Sequence, residues 1–166
     1  MKKQILSFCL ITCSYVLGYG QSATVVVHAV IDQWHQAAAK ADFDTYFNLM
    51  HPKSVYLGTD ATERWDKNAF MAYAKPHFDK GKAWSFSPVS RHVDFSDDGK
   101  TVWFDELLNT QMKICRGSGV LIFEDGKWLI RQYVLSMTVP NEDVAELIKL
   151  KAAAEDRLLE RLHNNN

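Results

Sequence analysis

Cysteine and proline are scarce in this chain, with three and four residues among 166. Cys9 and Cys13 fall in a leader-like start, which leaves Cys115 alone in the remainder. One cysteine closes no internal disulfide, so stability has to come from a hydrophobic core. Cys115 lies near Lys113 and Arg116, which would lower a thiol pKa, but no base or oxyanion site accompanies it as nucleophilic chemistry requires. An excess of charge of one sign is also missing. Nineteen basic and 20 acidic residues give a net charge of −1, and loss of Lys2 and Lys3 would make the chain slightly more acidic. That balance leaves no electrostatic footprint for nucleic acid or for an anionic membrane. After the leader, no apolar run reaches the roughly 20 residues that cross a bilayer. Glycine-rich phosphate loops, a nucleophile elbow and nucleotide motifs are absent as well, as are repeats and low-complexity linkers.

The leader has three parts. Met1-Lys2-Lys3 is a positive start, Ile5 to Leu17 is apolar, and residues 18–23 supply a cleavage region between Gly20 and Ala23. Residues 1–22 therefore read as a bacterial-type signal peptide, and the expected place of the protein is the periplasm or the cell exterior. A lipoprotein reading would need a small residue before Cys13, where Ile11 and Thr12 stand. Residues 23–141 are one domain by size, and 142–166 read as a further helix with a frayed tail.

Periodicity then changes once along the chain. Apolar residues at 27, 30, 31, 34, 38 and 41 fall on one helical face. Asp42 is placed to cap a short helix from Phe43 to Met50, which His51-Pro52 stops. Ser54 to Gly58 reads as a strand, and Asp66 caps a third helix that Pro76 kinks or ends. From Trp84 the period becomes two. A long strand to Phe95, broken near Pro88, turns at Asp97-Asp98-Gly99-Lys100 into three more strand-like runs within residues 101–137. Asp125-Gly126, between two of those runs, is a strong hairpin signal. Asn141 can cap a last helix whose Lys, Arg, Glu and Asp residues form a charged face beside a narrow apolar seam. The expected fold class is α+β, a curved antiparallel sheet with helices on one face.

Four polar positions interrupt the apolar strands: the acidic pair Asp105/Glu106, Arg116 and Gln132. Buried polar groups need partners, so these residues either pair with each other or line a pocket. Strand parity puts Val102, Phe104, Glu106 and Leu108 on one face. Arg116, Ser118, Val120 and Ile122 share a face, as do Trp128, Ile130, Gln132 and Val134. His28, Asp32 and His35 share a helical face with residue types that suit zinc, but one helix cannot close a tetrahedral site, so no metal and no cofactor is expected. His77 and His92 read as rim or surface residues that could also serve as bases.

The element order, with Trp34, Val55-Tyr56-Leu57-Gly58, Phe70, Gly126-Lys127-Trp128, Ile130, Tyr133, Leu135, Ser136 and Pro140-Asn141, resembles the SnoaL-like branch of the nuclear transport factor 2-like superfamily. The resemblance spans residues 24–141. It implies a cone in which three helices close the concave face of the sheet, with a pocket inside in many members. Its members include isomerases, dehydratases, hydrolases and cyclases as well as non-catalytic association domains and carriers, so the fold leaves function open. Many relatives carry histidines after the Trp-x-Ile of the final strand, where this chain has Gln132 and Val134. If Glu106, Arg116 and Gln132 point into the cone, they set a carboxylate beside a guanidinium and an amide in an apolar chamber. Three readings follow. The cone holds a small hydrophobic or amphipathic molecule, contacted by Tyr56, Trp65, Trp84, Glu106, Arg116 and Gln132. Alternatively, Asp105 or Glu106 serves acid–base catalysis in a lyase, isomerase or hydrolase. Or the domain is an interaction module. A homodimer is expected, because the superfamily commonly pairs its sheets and the seam at Val144, Leu147 and Ile148 needs cover.

Overall fold

A computed structural model describes residues 23–164, so the signal-peptide reading lies outside the described residues. Helix α1 (residues 23–39) buries Val27, Ile31, Trp34 and Ala38, the stripe that a 3.6-residue period produces. Helix α2 (Phe43–Asn48) begins at Asp42, whose carboxylate accepts from Thr45 N. It ends sooner than its apolar pattern suggests, because Met50 already opens strand β1 (Met50–Leu57). A three-residue strand β2 (Arg64–Asp66) follows, too short to show a period in the sequence. Asp66 caps helix α3 (Lys67–Asp79) through Ala69 N. The helix runs past Pro76 to Asp79; one lost hydrogen bond is outweighed by burial of Phe78 in the final turn.

Four long strands complete the sheet: β3 (Ser87–Phe95), β4 (Thr101–Thr110), β5 (Lys113–Glu124) and β6 (Lys127–Met137). Their order is β2-β1-β6-β5-β4-β3. Asp125 and Gly126 both have positive φ, 51° and 77°, the backbone of a tight two-residue hairpin turn. All pairings are antiparallel except β1 with β6, which is parallel. The polypeptide between β1 and β6 is long enough for such a connection. A short 3₁₀ turn (Asn141–Asp143) leads into α4 (Val144–Asn164), none of whose residues is buried.

Sheet parity on β4 is as the sequence indicates, with Val102, Phe104, Glu106 and Leu108 all buried. On β6 it is not. Opposite β5 the register shifts so that Leu121 faces Ile130 and Val120 faces Gln132, leaving Arg131 as an extra residue. This bulge turns Tyr133 and Leu135 inward. The cone fills with rings: Trp34 stacks on Tyr46 at 4.8 Å, and Tyr133 meets Trp34 edge-on at 4.8 Å. At Gly119 a Cβ would lie 2.6 Å from Gln132 O and 2.7 Å from the Phe104 ring, so backbone and ring close up only over glycine. Gly119→Ala is expected to lower unfolding free energy by about 1–3 kcal/mol, as overpacking does, read from urea midpoints at unchanged slope.

Candidate functional site

Glu106 stands in the middle of β4, one strand in from the sheet edge, with no exposed surface. Unpartnered, such a carboxylate would carry a prohibitive desolvation cost, and four contacts offset it. His35 Nε2 on α1 lies 2.7 Å from Oε1, to which the Tyr133 hydroxyl also donates at 3.0 Å. Arg91, directly across from Glu106 on β3, donates from Nε to Oε2 at 2.9 Å. Its Nη2 sits 2.8 Å from the same oxygen as an ionic contact, without hydrogen-bond alignment. Nη1 then reaches Asp32 Oδ1 at 2.8 Å and the His28 carbonyl at 3.4 Å. Glycine at 117 makes room, since a Cβ there would overlap the Tyr133 hydroxyl and lie 3.0 Å from Glu106 Cγ.

The network runs from the interior to the surface: the Arg91 side chain is 5 % exposed, and Asp32 is 45 % exposed. Burial pushes the Glu106 pKa up, but the His35 hydrogen bond and the charge of Arg91 outweigh it and hold the carboxyl below its ordinary value. Burial and the adjacent Glu106 charge raise Tyr133 well above the usual phenol range, so its hydroxyl stays a donor. This is an ionised, saturated carboxylate, whereas a general acid–base needs a pKa near the operating pH.

Two sequence expectations need correcting here. Arg116 and Gln132 do not join Glu106 in the cone; both are exposed on the outer face of the sheet. Arg116 lies there because Cys115, Gly117, Gly119 and Leu121 take the inner positions of β5. Gln132 lies there because the bulge at Arg131 reverses the parity of β6. Asp105 also points outward, 3.4 Å from His92 Nδ1. The cation that does meet Glu106 is Arg91, and the base beside it is His35. Both were legible as residue types, but their pairing spans 15 and 71 positions. His28, Asp32 and His35 do share a face of α1, and it is turned towards Arg91 and Glu106. Among the described residues no group of three or more His, Cys, Asp or Glu is arranged to hold a metal.

The open end of the cone carries a cavity of about 160 Å³ walled by Tyr56, Trp65, Phe70, Tyr73, Trp84 and Phe86. The structure thus brings together Tyr56, Trp65 and Trp84, the aromatic residues singled out in the sequence. Tyr56 and Phe70 stack at 4.0 Å, and Trp65 and Tyr73 at 4.6 Å. One layer of rings separates this cavity from the buried carboxylate: Tyr56 touches Tyr133 at 5.6 Å, and Phe86 meets His35 edge-on at 5.8 Å. A larger groove of about 430 Å³ lies at the other end of β6, between Val26, Val30 and Trp128. Ala23, at the start of α1, lies on its wall. Its lining is mainly apolar, with Asn48 and Lys127 as its polar side chains, and includes no member of the Glu106 network.

A family model for the SnoaL-like domain matches residues 27–140. The chain belongs to the SnoaL-like family. Solved structures agree on the fold. A nuclear transport factor 2-like protein of unknown function from Pseudomonas putida KT2440 shares 14 % identity over 74 % of this chain and 91 % of its own, with a TM-score of 0.63. A candidate dehydratase of the same superfamily from Streptomyces avermitilis shares 12 % over 73 % and 99 %, also at 0.63. A candidate calcium/calmodulin-dependent protein kinase II association domain from Xanthomonas campestris shares 23 % over 69 % and 86 %, at 0.53. No curated protein sequence matches. At such identities the likeness is one of fold, and the differing names of these structures leave the chemistry to the site itself.

Removing either partner of the Arg91–Glu106 pair takes the main counter-charge from a buried ion, leaving Arg91 with Asp32 or Glu106 with His35. Glu106→Gln and Arg91→Met are each expected to cost about 3–5 kcal/mol, and the double variant less than their sum, measured by denaturant unfolding. A carboxyl whose folded pKa lies below its unfolded one contributes stability that is complete above the unfolded value and is lost as pH falls through the folded value. Wild-type stability should therefore fall on acidification from 4.5 downward, with a shallower decline in Glu106→Gln.

Proposed function

We propose that this SnoaL-like domain binds a small, flat, largely apolar molecule at the aromatic mouth of its cone. The observation that carries this reading is the cavity of about 160 Å³ walled by near-parallel rings. Its size is close to the roughly 150 Å³ apolar cavity known to accept a single benzene ring, and parallel ring faces favour offset stacking. A pre-formed concave site with mainly aromatic walls and few polar groups is what small-molecule binding requires. Catalysis by Glu106 is the weaker reading, because the residue is sealed behind Tyr56 and Phe86 and is held ionised by Arg91 and His35. In the present reading Glu106 fixes the wall of the site: it anchors Tyr133 and His35, which back the two rings. The signal-like leader further supports export, with the ligand met outside the cytoplasm.

Benzyl alcohol, a neutral one-ring probe, is expected to bind and to quench tryptophan emission, with Trp65→Ala and Trp84→Ala each weakening binding about tenfold. Unchanged titrations in both variants would place the ligand elsewhere.

A second copy of the chain is the proposed partner of α4. Val144, Ile148, Leu159 and Leu162 are exposed along one face of it, and the apolar face of an isolated helix needs cover. Sedimentation equilibrium at micromolar concentration should give twice the chain mass, and a Leu159→Glu/Leu162→Glu variant should sediment as monomer. A wild-type monomer would end this part of the proposal.

A further inference from the structure

The cavity at the mouth of the cone has a polar side. Besides its six rings and the apolar Met112 and Leu135, it is lined by Gly58, Thr59, Gln111 and Glu63. Glu63 is the charged member of that lining, and no lysine, arginine or histidine shares it. Glu63 is a half-buried residue in the turn between β1 and β2, and its carboxylate is held by one backbone donor, Asp60 N to Oε2 at 3.2 Å. No ion pair among the described residues engages it.

Its position depends on Gly58, the residue that follows β1. A Cβ at 58 would overlap Glu63 Oε2 and lie 3.0 Å from Cδ. Only glycine lets the carboxylate fold down against the backbone beside the rings. Burial of the Tyr56 phenol raises its pKa, and the Glu63 charge is the next largest contributor, which places that charge close to the aromatic wall.

Ring faces carry negative potential and attract cations. A carboxylate at their edge adds a full charge of the same sign, in a setting less screened than open water. We propose that the mouth pocket selects ligands bearing a positive charge: a compact amine or quaternary ammonium group, alone or on a single ring, with its charge at Glu63 and its apolar part on Trp65, Tyr56 and Trp84. This rests on the ring-binding reading above and adds the sign of the ligand's charge. Anionic ring compounds are disfavoured by the same carboxylate, so the site discriminates by repulsion as well as attraction.

The test compares three probes of nearly equal shape by calorimetry near neutral pH: benzylammonium, benzyl alcohol and benzoate. Benzylammonium is expected to bind about tenfold tighter than benzyl alcohol, and benzoate weakest. In Glu63→Gln, whose side chain lies in a partly exposed turn, the ratio between cation and alcohol should fall towards one. Gly58→Ala should lower the ratio too, by displacing the carboxylate without removing it. Equal affinity of the cation and the alcohol for the wild type would overturn the charge preference and leave ring binding standing. So would a preference that survives in Glu63→Gln. Absence of binding by all three would overturn ring binding and the charge preference with it.

Discussion

Everything in this fold has to accommodate a carboxylate with no access to water. Glu106 sits fully buried in the middle of β4, and an ionised group there is tolerable only with its oxygens fully occupied. The occupants come from three separate places: His35 from α1, Arg91 from the edge strand β3 and Tyr133 from β6. Satisfying one side chain therefore fixes the distance between helix and sheet, the register of β3 on β4, and the direction in which β6 faces. Gly117 is small because the hydroxyl of Tyr133 must pass over it, and Arg91 is drawn inward although β3 is an edge. Replacing the whole set with apolar residues could leave the fold as stable. What the polar set adds is a single geometry.

That geometry reaches the surface at one end. Tyr133 and His35 lean on Tyr56 and Phe86, and those two rings are the floor of the aromatic mouth. A polar core thus orders the rings that wall the mouth cavity. Structures of this fold carry names as different as a dehydratase and an association domain, so the fold alone leaves function open and the proposed binding rests on what this chain places at its mouth. Here it is ring faces with one carboxylate on the rim.

Much of this was legible in the sequence where the signal is local. The hairpin at Asp125-Gly126, the caps Asp42 and Asp66 and the parity of β4 follow from short spacings, and Tyr56, Trp65 and Trp84 stood out as aromatic residues suited to line a cavity. What escaped is what depends on pairing across the chain. Gln132 sits in step with Trp128 and Ile130, and only the extra residue Arg131 puts Tyr133 in its place; a bulge leaves no mark in a period-two pattern. Arg116 and Arg91 are equally plausible partners for an inward glutamate until the register of β3 is known. The face formed by His28, Asp32 and His35 was visible as a polar stripe beside the apolar one on α1, and its counterpart on another element was not. The parallel pairing of β1 with β6 is likewise a long-range fact, and β2 is too short to announce itself.

The account depends on Glu106 being ionised and closed off in the folded protein. A ¹³C NMR pH titration of its side-chain carboxyl measures this directly. The predicted result is a carboxylate chemical shift that stays constant through neutral and mildly acidic pH and changes only below the ordinary glutamate value. A carboxyl that takes up its proton near neutral pH would contradict the account, and would return Glu106 to the role of an acid or base.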